Sequence, residues 1–199
     1  VVPATDSEII SYYRGISDAE IPAAPSVGMY REKIEPADVG TQQRRIWELW
    51  KQAHTGWTRV FDFAGMNATY KETVWEIPEK ERMKVRLFTK GARPARGYPL
   101  IIHLHGGGLY ADAPGPWESL INTEEFEINF NLAHRVFQEG QPVAYMVPRM
   151  PDDRKGRWYF LPKRVAFKQA IQAAVLSGLV NPDKVYLTGI SEGGDGSLR

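Results

Sequence analysis

Near the end of the chain a serine stands between glycines, in Gly189-Ile190-Ser191-Glu192-Gly193. A hydroxyl is a weak nucleophile until a base takes its proton and donors hold the charge developing on the substrate. Spacing is the first clue that this hydroxyl is presented for such work. A strand that turns abruptly into a helix pushes the residue at the tip of the bend into the cleft. The residues two before and two after must then be small, because side chains there would collide across the bend. A helix starting just after the serine adds free N–H groups and a partial positive charge. Taken alone, the pentapeptide is equally compatible with a glycine-rich turn carrying an incidental serine.

A second cluster, His105-Gly106-Gly107-Gly108, lies 86 residues upstream of Ser191. Glycines there let backbone N–H groups approach a substrate oxygen with no side chain intervening. Each donor aimed at an oxyanion stabilises an acyl-transfer transition state by roughly 3 kcal/mol. A merely flexible loop is the bland alternative. Two other readings of the glycines fail. Gly106-x-Gly108-x-x-Ala111 has the form of a dinucleotide fingerprint, but Ala113-Pro114-Gly115-Pro116 stands where its helix should begin. The next strand also ends in Pro148-Arg149, where that fold wants an acid. Gly189 to Gly194 opens like a phosphate-binding loop, yet Asp195 occupies the lysine position.

The elements around these clusters can be read from periodicity. DSEIISYYR (6–14) predicts a short helix capped by Asp6 or Ser7, and residues 41–54 a second, with Gly56 as its stop. Residues 72–90 read as two strands around a Pro-Glu-Lys turn, with one face wet. From Tyr98 onward the character changes. Apolar runs at 98–105, 142–147 and 184–188 alternate with helical patterns at 126–139 and 162–179, and Asn181-Pro182-Asp183 reads as a turn. Apolar strands alternating with helices imply a parallel sheet covered on both faces, with ligands at the carboxyl ends of the strands. Both glycine clusters fall at such ends. Residues 1–70, with Trp47, Trp50, Trp57, Tyr12 and Tyr13, read as a helical amino-terminal extension, and 71–199 as the α/β domain.

Totals exclude several classes. The chain has 199 residues, 25 Lys+Arg against 24 Asp+Glu, and no cysteine. A net charge of +1 makes no electrostatic case for nucleic acid or an anionic membrane. No apolar run approaches the ~20 residues of a membrane span. Thiolate nucleophiles and cysteine-based zinc sites are excluded, and no acidic cluster has ligand spacing, so neither metal nor cofactor is expected. The chain opens Val1-Val2-Pro3-Ala4 without an initiator Met. Removal of a signal peptide, with a secreted or periplasmic location, is one account of that start.

HLHGGG (103–108) and NPDKVYLTGISEGG (181–194), in this order, resemble the α/β-hydrolase superfamily, and the esterases and peptidase-like serine hydrolases within it. The resemblance covers roughly residues 72–199. It implies a largely parallel sheet flanked by helices and a nucleophile elbow at Ser191. It also implies an oxyanion hole made by the backbone N–H of Glu192 and that of Gly107 or Gly108. A carboxylic ester is the first substrate class and a peptide amide the second. An inactive hydrolase-like binding protein is the alternative.

The chain departs from the superfamily in one respect. The acid and histidine of that family follow the nucleophile, and only eight residues follow Ser191. The expectation is an amino-terminal part of a hydrolase, truncated after the elbow, whose carboxyl-terminal remainder forms a partner segment or separate chain. His54, His103 and His134 read as structural, and His105 as orienting the glycine loop. Arg149–Tyr159 reads as a solvated loop with internal ion pairs, or as a pocket rim with Trp158 and Tyr159 as its apolar wall. Glu192 would favour cationic groups or pair with a nearby arginine.

Overall fold

A computed structural model describes residues 4–15, 33–55, 70–77, 80–137 and 140–198. The chain divides into two compact units, Val1–Trp57 and Thr58–Arg199.

In the first unit, α1 (Asp6–Gly15) is followed by a short 3₁₀ turn, Pro36–Asp38, and by α2 (Val39–Ala53). The cap of α1 is Thr5, one residue before the expected Asp6. Its hydroxyl accepts the Glu8 N–H at 3.3 Å while the Glu8 carboxylate accepts the Thr5 N–H at 2.8 Å. That reciprocal box satisfies two donors that the first turn leaves open. Arg45 of α2 donates to Asp6 at 2.7 Å and to the Ala4 carbonyl at 3.0 Å, joining the two helices. His54 ends α2, its Nδ1 2.8 Å from the Trp50 carbonyl, and Trp47 stacks on Trp50 at 5.1 Å. Gly56 and Trp57 lie outside the described residues.

The second unit is a mixed five-stranded sheet in the order β1-β2-β4-β3-β5, with helices against both faces. Strands β1 (Lys71–Ile77) and β2 (Glu81–Lys90) form a hairpin with Trp75 opposite Met83. A short link can only join strands antiparallel. β2 also runs against β4 (Val143–Pro148), whereas β3 (Tyr98–Leu104) is parallel to both β4 and β5 (Val180–Gly189). The expected largely parallel sheet is thus mixed, because the reversal of β2 makes the pairings on both its sides antiparallel.

Crossover handedness decides where the helices go. From β3 the chain steps one place to β4, then returns across β3 to β5. Right-handed crossovers taken in opposite directions carry their helices to opposite faces. On one face Ala166, Phe167, Ala170 and Ala174 of α4 (Leu161–Leu176) pack with Val85, Leu87, Ile102 and Met146. On the other, Phe126, Phe130 and Ala133 of α3 (Leu120–Val136) pack with Phe88, Tyr145 and Val147. The second face of the hairpin is wet at Glu72, Val74, Glu76 and Arg82, as expected, and is covered at Phe88. Arg86 lies 4.7 Å over the Phe126 ring and pairs with Glu72 at 2.7 Å, so its stem shields apolar surface while its charge is met.

Asn181-Pro182-Asp183 keeps its turn inside β5. Tyr98 pairs with Val180 but Leu100 with Val185, and Asn181 Oδ1 accepts the Asp183 N–H at 3.0 Å. After β5, α5 (Glu192–Leu198) packs its Gly196 against Trp158 and Leu104, on the α4 face. Neighbouring strands β3 and β5 thus send their helices to opposite faces. Such a switch point opens a crevice at the carboxyl edge. At that edge Gly106 lies beside the Ile190 carbonyl, one residue before Ser191, and Gly193 beside the His105 carbonyl.

Candidate active site

Ser191 is exposed at the turn from β5 into α5, in the left-handed conformation at φ +52°. That backbone state costs a non-glycine residue roughly 1–2 kcal/mol and persists only where the surroundings impose it. Here they do. A Cβ added at Gly189 would run into the Gly193 carbonyl, and one added at Gly193 would run into the Leu104 carbonyl at the end of β3. The Ile190 N–H also bonds the Leu104 carbonyl at 3.3 Å, so the bend is tied directly to the neighbouring strand. Among the described residues no hydrogen bond occupies the Glu192 N–H, at the free amino end of α5.

Opposite, the chain leaves β3 through Gly107 at φ +97° and Gly108 at φ +152°, angles that favour glycine. Asn122, buried at the start of α3, holds this loop. Its Oδ1 accepts the Gly108 N–H and its Nδ2 donates to the Gly108 carbonyl, both at 2.9 Å. The Gly108 N–H is therefore spent on Asn122, which corrects its expected place as a donor to substrate. The Gly107 N–H has no such bond among the described residues. A side chain at Gly107 would strike Asn122 itself.

A buried ion pair supports that clamp. Asp153 is fully buried at 0% exposure and Arg149 is 2% exposed. They meet through two bonds of 2.6 and 2.7 Å, the fork-to-fork geometry of a strong pair. Asp153 also accepts the Asn122 amide at 2.6 Å and the Ser119 N–H at 2.9 Å. The Arg149–Tyr159 segment is thus largely interior, contrary to a solvated loop. A four-bonded carboxylate offsets the cost of burying the guanidinium.

His105 ties the loops after β3 and β4 together. Its Nδ1 lies 2.6 Å from the Gly106 carbonyl and its Nε2 accepts the Met150 N–H at 3.0 Å. Burial, aided by the positive charge of Arg149, pushes its pKa down to about 3, so the ring stays neutral and braces the loop. His103, on β3 itself, faces α3. Its ring nitrogens lie 2.9 Å from Thr188 Oγ1 and 3.0 Å from Asn129 Oδ1. His134 packs edge-on against Phe88 in the α3 layer.

Trp158 does not form a pocket wall. It is fully buried at 0% exposure, donates its indole N–H to the His105 carbonyl at 3.0 Å, and packs against Gly196. An indole buried with its N–H satisfied is a core residue. Tyr159 is half-buried and packs edge-on against Phe160. Glu192 is buried and pairs with Arg157 at 2.7 Å, so its charge is neutralised by that partner. Beside the glycine loop, a cavity of about 510 Å³ is lined by Leu109, Tyr110, Ala113, Ser119, Leu120 and Ile121.

Sequence reasoning passed over Asn122, whereas the internal ion pairs of the 149–159 loop and an arginine partner for Glu192 were expected without their partners being named. Asn122 left one legible signal. It stands four residues before Phe126 on the buried stripe of α3, where a polar side chain needs a partner.

No family model matches the chain, and no curated protein matches it significantly. Among solved structures the chain is similar to a thermostable esterase at 22% identity and a TM-score of 0.45, over 64% of this chain. The match spans 36% of that esterase's length.

Proposed function

We propose that this chain carries the nucleophile half of a serine hydrolase site of the α/β-hydrolase kind, acting first on carboxylic esters. The observation that carries the reading is the left-handed Ser191 at the β5–α5 bend, tied to the end of β3 where the glycine loop begins. Ser191 Oγ attacks the ester carbonyl carbon. The carbonyl oxygen gains negative charge and is met by the N–H groups of Glu192 and Gly107, which no internal hydrogen bond holds among the described residues. The alcohol leaves, an acyl-Ser191 ester remains, and water cleaves it. His103 of β3 and His105 just after it have their ring nitrogens engaged, so neither is assigned as the base that takes the serine proton.

Fluorophosphonate labelling of the full-length protein tests this reading directly. Labelling is expected at Ser191 and should vanish in Ser191→Ala, together with turnover of p-nitrophenyl esters. Wild-type protein that neither labels nor turns over esters favours the inactive binding protein. Labelling that survives in Ser191→Ala sinks the nucleophile assignment.

A further inference from the structure

The site holds a cation that nucleophilic chemistry does not use. Arg157 follows Gly156 in the loop between β4 and α4, and both are left-handed, at φ +67° and +56°. Glycine takes that conformation freely, whereas an arginine does so only when its surroundings impose it. Gly156 sits so close to Leu109, the residue after the glycine loop, that an added Cβ would lie 2.9 Å from the Leu109 Cα. On its other side Trp158 is locked to the His105 carbonyl. Between these anchors the Arg157 Nη1 reaches Glu192 Oε2 at 2.7 Å. Arg157 therefore stands where the loops after β3, β4 and β5 meet. It is bracketed by the residue after Gly108 and the residue after Ser191.

The ion pair is one-sided. Glu192 is 7% exposed, and its Oε1 is buried without a hydrogen-bond partner. The Arg157 side chain is 41% exposed and commits one nitrogen to the pair. A guanidinium carries five N–H donors in a rigid fork, so its Nε/Nη2 edge is left to meet a carboxylate through two parallel bonds. A buried acid thus holds one end of the guanidinium while the side chain remains partly exposed.

We propose that Arg157 binds a carboxylate on the substrate, so that the enzyme acts on esters bearing a negative charge in the acyl or the alcohol part. Glu192 orients the guanidinium and is a positioning residue in this respect. The proposal rests on the serine-hydrolase reading, and its test keeps the two apart. The full-length protein is assayed on two pairs of esters. p-Nitrophenyl hemisuccinate is set against p-nitrophenyl butyrate, and acetoxybenzoate against phenyl acetate. The charge lies in the acyl part of the first pair and in the alcohol part of the second. Wild-type enzyme is expected to favour the anionic member of at least one pair in kcat/KM. Arg157→Ala should cut that preference about ten- to a hundredfold, the range for one charge-assisted hydrogen-bonded contact, and Arg157→Lys should keep part of it. Protection of Ser191 from fluorophosphonate by free succinate gives a readout without turnover, expected in wild type and weakened in Arg157→Gln. Labelled protein with no anionic preference and no succinate protection overturns the assignment of Arg157 alone. So does an equal loss on both members of a pair. Wild-type protein that does not label overturns the reading beneath it.

Discussion

Replacing Asp153 by alanine tests whether the ion pair beneath the glycine loop is as buried as its geometry indicates. The change removes four hydrogen bonds at once, two from Arg149 and one each from Ser119 and Asn122. It leaves Arg149, 2% exposed, with the Thr123 hydroxyl at 3.3 Å as its remaining side-chain hydrogen-bond partner among the described residues. An uncompensated buried charge of this kind costs about 3–5 kcal/mol. For a domain of this size that corresponds to a fall in Tm of about 6–20 °C. Urea unfolding followed by tryptophan fluorescence, with a thermal melt alongside, measures it in the full-length protein. Asp153→Asn keeps one acceptor and should fall between. The double variant Arg149→Met with Asp153→Leu removes both charges and should be less damaged than Asp153→Ala alone, because neither partner is then buried and unpaired. Fluorophosphonate labelling should also slow in Asp153→Ala, since Asn122 loses the partner that steadies it against Gly108. An Asp153→Ala variant within about 1 kcal/mol of wild type would refute the reasoning, because that is what a solvated pair contributes.

Two further outcomes follow from the same core. Native His105 has a pKa of about 3 against an ordinary 6.5, so between those values the unfolded chain binds a proton that the folded chain refuses. Stability from this group is therefore intact above pH 6.5 and is lost as pH falls towards 3, by up to about 1.4 kcal/mol per unit. Unfolding midpoints from neutral to acid pH check the slope, and a ring that titrates near its ordinary value by NMR would contradict it. Gly193→Ala drives a methyl group into the Leu104 carbonyl, whereas at Gly194 the nearest atom to an added methyl is the Gly189 carbonyl oxygen at 3.6 Å. Melting curves should show Gly193→Ala strongly destabilised and Gly194→Ala close to wild type, and equal effects would mean that the bend is not tight.

Much of the scaffold could be read from local pattern. Alternation in 72–90 marks a hairpin, and the apolar runs at 98–105 and 142–147 mark strands, because periodicity of two and of 3.6 is a property of neighbours in sequence. Glycines around Ser191 announce a crowded bend for the same reason, since the collisions they avoid lie within five residues. Helix ends are less legible, as the cap at Thr5 shows, because neighbouring hydroxyls and carboxylates compete for the same N–H groups.

What sequence alone determined is the chemistry on offer, a hydroxyl and a run of glycines each placed at the end of a strand. Only the tertiary structure decided which groups remain available for that chemistry. Adjacency of β3 and β5 brings the two clusters side by side, with Gly193 against the His105 carbonyl, and strand order is a long-range choice. Asn122 takes the Gly108 N–H and leaves the Gly107 N–H without such a partner, which depends on where a helix fourteen residues away comes to rest. Trp158 turns inward as core while Arg157 beside it turns to Glu192. Adjacent side chains diverge in this way because burial is settled by what packs against each of them, and those partners lie far along the chain.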